Sequence, residues 1–436
     1  MTVRIGGGQG FYGDGHEPVG DLLEAGIDFL VCEALAELTL AILQKDRQRD
    51  EGRGFTHDLP LYVDQAVPWL IDGRTRLVTN AGGINPVAAG RAVVDALKEA
   101  GAEEVKVATV VGDDVRPLAV ELGLPGDALF ANAYLGARPI VDALDAGAGV
   151  VVTGRVADAS LFLAPLIHAY GWAWDDWNRL AAGIVVGHLL ECSGQVTGGN
   201  WSGPWWENPD PVHIGFPIAE VEPDGSAVIT KPAGTGGRVS FDTVREQLLY
   251  EVHDPRAYLN PDVTADFTSV AVVDLDEDRV RISGTIGSRP PERYKGLVGT
   301  PAGWAGEVRF AYPWPDAEAK ARAAVRFVRR RAERTGIPIE EWREEYFGVN
   351  GFGGPTVALD DAPEPPEVIA RLAWRCADAE TVARVSQGLG VLGLSGPPTI
   401  ASSGRGRNGR PTQLLAVEPF AVDREIVDGQ VRVAFG

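Results

Sequence analysis

Up to Cys192 the chain alternates short apolar runs with stretches whose apolar positions recur every three or four residues, the pattern of strands followed by amphipathic helices. Strands are predicted at Thr2–Ile5, Ile27–Cys32, Arg76–Asn80, Glu104–Val111 and Gly149–Thr153. Helices are predicted from near Pro18, then over Glu33–Asp46, Asp58–Ile71, Pro86–Ala100, Pro139–Ala146, Ala159–Ala169 and Asp175–Cys192, with Gly101 as a stop signal. Such alternation implies an α/β fold whose N-terminal part is a doubly wound, mostly parallel sheet covered by helices on both faces.

The rhythm changes after a Gly- and Trp-rich stretch, Ser193–Trp206. Val212–Glu222 and Ser226–Lys231 flank Pro223-Asp224-Gly225 as a hairpin, and Phe267–Asp274 with Arg279–Thr285 form a second. Ser240 is placed to cap a helix over Phe241–Glu251, and a charged helix is predicted over Asp316–Thr335. The segment 348–366, rich in Gly, Pro and Asp, reads as a linker; Val368–Arg375, a helix over Asp378–Gly388 and a strand over Gln430–Phe435 follow. The expected division is an α/β domain at 1–208, an α+β domain at 209–347, and a linker with a small α+β unit at 348–436.

The formal net charge of −21 excludes the basic footprint that nucleic acid requires and disfavours anionic membrane surfaces. It leaves room for arginines gathered in one pocket. Cys32, Cys192 and Cys376 are too few and too far apart for a disulfide framework or a zinc site. No apolar run approaches the ~20 residues of a membrane span, so the cytoplasm is the expected compartment and no membrane partner is expected.

In an open α/β sheet, ligands bind beyond the carboxyl ends of the strands, so the loops there carry the candidate chemistry. After the first strand comes GGGQGFYGDGHEP, where Gly8, Gln9 and Gly10 could bind an anion and Asp14 could act as an acid or cap the next helix. After the second come Glu33 and Glu37, expected one helical turn apart on the same face; a partly buried Glu37 would be a general acid. TNAGGINP supplies Asn80 and Asn85, amides suited to a carbonyl or oxyanion. Asp113 and Asp114 could ligate a divalent metal or cap a helix. TGRVADAS supplies Arg155, a cation for carboxylate or phosphate, and Asp158, which could hold that arginine or act as a base. Glu191, Gln195, Thr197 and Asn200 end the last helix of the series, and Arg289, Arg293, Tyr294 and Lys295 lie on a later segment able to reach over the site.

These stretches carry a resemblance. RIGGGQGFYGD at Arg4, ALAELTLAIL at Ala34, VTNAGGINP at Val78, ANAYLGA at Ala131, VVTGRVADASL at Val151 and GHLLECSGQVTGGN at Gly187 resemble the acyclic terpene utilisation family AtuA. The likeness continues through GFPIAEVEPDGSAVITKPAGTGG at Gly215, QLLYEV at Gln247 and DRVRISG at Asp278, and is loose beyond Gly299. Gly15-His16-Glu17 stands where an Arg-containing run is more usual. The resemblance implies breakdown of branched acyclic terpenoid acids as acyl-CoA thioesters, beside carboxylases, dehydrogenases and hydratases. It assigns no catalytic residue.

Together these readings favour a homo-oligomeric enzyme acting on a coenzyme A thioester by carboxylate acid/base chemistry, either hydration and dehydration or C–C lysis. Asp158 or Glu191 would be the base, Glu37 or Asp14 the acid, and Arg155 the anion clamp. Gly8, Gln9, Gly10, Asn80, Asn85, Gln195, Thr197 and Asn200 would bind substrate, with no resident cofactor. The alternatives are a hydrolase or transferase with a metal on Asp113 and Asp114, and a non-catalytic acyl-CoA-binding partner of a carboxylase complex.

Overall fold

The computed structural model describes residues 2–352, 363–402 and 409–436. The chain divides into two compact units, one of residues 1–299 with 417–436 and the other of residues 300–416. The first unit opens with β1 (Val3–Gln9), α1 (Pro18–Glu24), β2 (Phe29–Cys32), α2 (Glu37–Arg49), α3 (Leu59–Ile71), β3 (Arg76–Thr79) and α4 (Pro86–Glu99). It continues through β4 (Val107–Val111), β5 (Phe130–Ala133), α5 (Arg138–Asp145), β6 (Val150–Thr153), α6 (Asp158–Tyr170) and α7 (Trp177–Leu190). Strands β1, β2, β3, β6 and β4 are parallel neighbours in that order.

These strands are apolar on both sides because both sides are covered. Along β2, Phe29 and Val31 pack into one core with the helices α5, α6 and α7. Leu30 and Cys32 pack into another, with α1, α3 and α4. The chain therefore leaves β1, β2 and β3 toward one face, and leaves β4 and β6 toward the other. Adjacent strands β3 and β6 send their following loops in opposite directions, which opens a crevice at their carboxyl ends.

Residues beyond 209, set apart in the sequence reading, extend this same sheet. After β7 (Ile218–Val221), β8 (Ala227–Thr230) and the helix α8 (Phe241–Leu249) come β9 (Tyr258–Leu259), β10 (Thr264–Asp266), β11 (Ala271–Asp276), β12 (Arg279–Ser283) and β13 (Ile286–Ser288). Strand β7 joins β1 antiparallel, and β8, β12 and β11 follow in turn, while β9, β10 and β13 form a small separate sheet. The hydrophobic pattern identifies these as strands but cannot say which sheet they join. Strand β14 (Arg293–Pro313) pairs with β5 through residues 296–299.

In the second unit, β15 (Glu341–Phe347) pairs with β16 (Glu367–Cys376), which pairs with residues 304–313 of β14; β17 (Ala401–Ser402) lies on its other side. Val368, Ala370, Leu372 and Trp374 of β16 pack beneath α9 (Ala317–Arg334) and α10 (Ala379–Gln387). The N-cap carboxylate of Asp378 accepts from the Thr381 amide at 2.7 Å, starting α10 where the sequence places it. Strand β18 (Thr412–Asp423) pairs with β14, and β19 (Arg432–Phe435) pairs with β4, completing a ten-stranded sheet among the described residues. Of the expected linker, residues 353–362 lie outside the described residues. No helix among the described residues is long and apolar enough to cross a membrane.

The first strand corrects the reading of the glycine run. It does not stop at Ile5 but runs to Gln9, so Gly6, Gly7 and Gly8 are strand residues and not an anion-binding loop. The end of α7 and the segment after it cross directly over this strand. A Cβ on Gly7 would lie 2.6 Å from the Leu190 carbonyl oxygen, and one on Gly10 would lie 2.8 Å from the Cys192 backbone. Gly7→Ala is therefore expected to destabilise the protein by about 1–3 kcal/mol through backbone displacement. In the same urea titrations Gly20→Ala, in α1 with open space around it, should be neutral or gain up to about 1 kcal/mol; equal midpoints for the two variants would refute this account.

Candidate active site

The loops after the parallel strands β2, β3, β4 and β6 meet at the crevice between β3 and β6, where a charged cluster forms around Arg155. Its guanidinium is almost fully buried. Nη1 donates to the Leu35 carbonyl at 2.6 Å, Nη2 to the Val156 carbonyl at 2.9 Å and Nε to the same oxygen at 3.2 Å. Nη2 also donates to the Asp158 carboxylate and lies 3.9 Å from Glu33 Oε1. Arg155 is thus a scaffold whose donors are directed inward, not the free anion clamp expected from the sequence. Its backbone is fixed as well: the Arg155 amide donates to Asp113 Oδ2 at 2.8 Å, and Asn132 Nδ2 donates to the same oxygen at 2.8 Å.

Glu33 follows β2 in an extended segment. Helix α2 begins only at Glu37, so the two glutamates do not share a helical face as the periodicity suggested. Glu33 Oε1 accepts from the Leu35 amide at 2.6 Å and from Asn80 Nδ2 at 2.8 Å, while Asn80 Oδ1 accepts from the Ala34 amide at 2.7 Å. Asn80 thereby positions Glu33, and both ends of its amide are engaged. Burial drives the Glu33 carboxyl well above the usual range, with the neighbouring Asp158 adding to the rise and Arg155 opposing it. Asp158, the first residue of α6, is pushed up to about 7, again by burial first, with Arg155 opposing and Glu191 and Glu37 adding. Its side chain nevertheless keeps 36 % of its surface accessible, as expected of a group on the floor of a crevice. Both carboxyls beside this one arginine thus hold their protons more tightly than a carboxyl in water does.

Glu191 ends α7. His188 Nε2 faces the Gln247 carbonyl at 2.9 Å and must donate to it, so the 3.0 Å contact between His188 Nδ1 and Glu191 Oε1 holds a proton between them. The second oxygen of Glu191 is buried without a hydrogen-bond partner. His188 packs against Tyr258 and Phe267, which stack on each other at 4.7 Å. Burial pushes the adjacent Cys192 thiol well up, so it is no thiolate nucleophile.

Glu37 lies outward of this cluster. The sequence places Glu37 in mid-helix, partly buried, either as a general acid or in an ion pair with an arginine. Instead it opens α2, half exposed, and although burial pushes its carboxyl up, its own backbone N–H and Lys295 outweigh that and hold it below the usual range. Tyr134 Oη donates to Glu37 Oε1 at 3.2 Å, Lys295 Nζ lies 3.3 Å from the same oxygen, and both Arg155 and Lys295 sit against the Tyr134 ring. Lys295 comes from the later segment that the sequence places within reach of the site, whereas Asn132 and Tyr134 escape motif reading because their role depends on β5 and β14 pairing across a long stretch of sequence.

The remaining sequence candidates are placed elsewhere or serve the fold. Asp14 accepts from the Gly10 amide at 3.0 Å and from Ser193 Oγ at 2.8 Å, fastening the first loop to the segment after α7. Gln9 is buried and donates to Asp58 at 3.0 Å. Gly8 packs on Leu30. Asn85 caps α4 and donates to the carbonyls of Glu51 and Arg53. Thr197 donates to the Gly194 carbonyl at 2.9 Å, Gln195 sits in a short 3-10 turn, and Asn200 is exposed with φ 52°. Asp113 is buried, its carboxyl pushed up to about 6 by burial, and Asp114 accepts from the Arg116 amide at 3.0 Å. Among the described residues no group of three or more His, Cys, Asp or Glu is arranged to hold a metal ion. A wide cleft elsewhere in this unit, lined by Arg4, Glu220, Lys231, Asp278 and Arg279, has those cations paired with those acids.

Compared with known proteins, the chain matches the family described as acyclic terpene utilisation family protein AtuA over residues 3–433. No curated protein and no solved structure matches it.

The raised carboxyls have a measurable consequence. Between the unfolded aspartate value of about 4 and the folded value of about 7, the native state binds more protons than the unfolded one, so stability falls as pH rises through that window. Asp158→Asn removes one such group. The drop in melting temperature from pH 5 to pH 8 should shrink in that variant; an unchanged or steeper drop would refute a raised Asp158.

Proposed function

We propose, on the premise that this chain belongs to the acyclic terpene utilisation family AtuA, that it is an enzyme using the Glu33–Asp158 pair for proton transfer on an acyl thioester of a branched acid. Membership ties the chain to acyclic terpene utilisation. The acid/base reading rests on one observation: two carboxyls with raised proton affinity meet at a single buried arginine in the switch-point crevice, and the outer one is accessible.

A carboxyl pair holding one proton between them supplies a base and an acid in the same site. In dehydration of a β-hydroxyacyl thioester, ionised Asp158 takes the proton from the carbon next to the thioester carbonyl. The β-hydroxyl leaves as water with a proton from the acid partner, and a double bond forms between the two carbons. Hydration is the reverse; in C–C lysis Asp158 instead takes the proton of the β-hydroxyl, which becomes a carbonyl as the bond between the two carbons breaks, and the acid partner protonates the thioester enolate released. Glu33, held by Asn80 and the Leu35 amide, fits the proton-holding acid of the pair, with Asp158 as the base facing the substrate. Glu191, with an unpartnered oxygen and a proton shared with His188, fits the second proton relay.

Turnover of a panel of branched acyl-CoA and β-hydroxyacyl-CoA thioesters tests this. Wild-type activity should rise as pH rises through about 7, where Asp158 ionises and becomes the base. Asp158→Asn should lower kcat by a factor of about 10² to 10⁴, the usual contribution of a positioned acid or base. Full turnover by Asp158→Asn would remove the pair from the mechanism.

A further inference from the structure

We infer that Lys295 is the anchor for the substrate's anionic group and that Glu37 holds it in place until substrate arrives. This rests on the acid/base reading of the crevice. Glu33 and Asp158 take up the charge of Arg155 and leave the crevice no spare cation for a carboxylate or phosphate. Arg155 cannot turn to a ligand, because its Nε and Nη2 hydrogens and a hydrogen of Nη1 are directed at the Leu35 and Val156 carbonyls and at Asp158.

Lys295 differs in each respect. Its backbone carbonyl accepts from the Tyr134 amide at 2.8 Å, so the residue is fixed beside the site. Its ammonium carries three donors, lies 4.8 Å from the centre of the Tyr134 ring and is half exposed. The described carboxylate partner is Glu37, itself half exposed at 3.3 Å, and exposed pairs of this kind contribute little to stability. An incoming anion can therefore replace Glu37 at low cost, while Tyr134 Oη keeps Glu37 beside the exchange point. The anion is a phosphate of the thiol carrier or a second carboxylate on the acid, one not taken up by the thioester; both present oxygen acceptors to an ammonium.

Calorimetric titration of the full-length protein with coenzyme A, which has phosphates and no carboxylate, and with isovalerate, which has the reverse, tests the inference. Lys295→Gln should weaken binding of one probe about tenfold, and the probe affected identifies the anion. Glu37→Gln should tighten the same probe, because the competing carboxylate is gone. A purely structural ion pair would instead shift both variants in the same direction. Added salt should weaken binding to the wild type and have little effect on Lys295→Gln. For any thioester turned over, Lys295→Gln should raise KM and leave kcat unchanged. Shifts of the same sign in the two variants, affinities of Lys295→Gln within about twofold of wild type, or no binding of either probe to the wild type would each overturn the anchor. Thioester turnover that depends on Asp158 would leave the acid/base reading standing in those cases. Opposite-sign shifts without turnover of any thioester would uphold the anchor and overturn that reading.

Discussion

A guanidinium removed from water organises the crevice. Arg155 cannot lose its proton at any ordinary pH, and burying it costs heavily unless every direction it points finds an acceptor. The fold answers with the carbonyls of Leu35 and Val156 and the carboxyls of Asp158 and Glu33. Those acceptors come from the loops after β2 and β6, with Asn80 contributed by the loop after β3. Asp113, after β4, holds the arginine's own backbone. One charge thus sets the mutual positions of four strand ends, and the proton affinities of the carboxyls follow from the same burial. Removing the arginine would leave two buried carboxyls facing each other without compensation.

Much of the α/β framework is legible in the residues themselves. Strands β2, β3, β4 and β6 lie at apolar runs bounded by turn chemistry, and α4 starts at Pro86 under an asparagine cap as the local sequence dictates. Errors arise where local pattern competes with distant packing. Gly6–Gly8 look like a loop because glycine favours loops, yet Gly7 lies under a helix end and Gly6 and Gly8 leave room for Leu22, Ile27 and Leu30. Glu33 looks helical because it precedes a periodic stretch, yet hydrogen bonds to Leu35 and Asn80 hold it extended. The hairpins after residue 209 read correctly as hairpins, but their joining the first sheet depends on β1 leaving an edge for β7, which no local signal encodes.

The site was legible in the same uneven way. Arg155, Asp158 and Glu191 are visible as charged residues at the ends of apolar segments. Asn85, Thr197 and Asn200 share that appearance and turn out to serve caps and turns. What separates the groups is burial and partnership, which depend on tertiary contacts. Tyr134 and Lys295 show the limit most plainly: they meet because β5 pairs with residues 296–299, a contact with no trace in spacing or composition.

The way the first unit is closed has an outcome for how the chain is made. Residues 417–436 belong to that unit, and β19 pairs with β4, which ends two residues before Asp113. During synthesis from the N-terminus, the ribosome must deliver the whole of residues 300–416 before that edge can be covered. Until then β4 presents an open row of backbone donors and acceptors, a template for pairing with a neighbouring nascent chain.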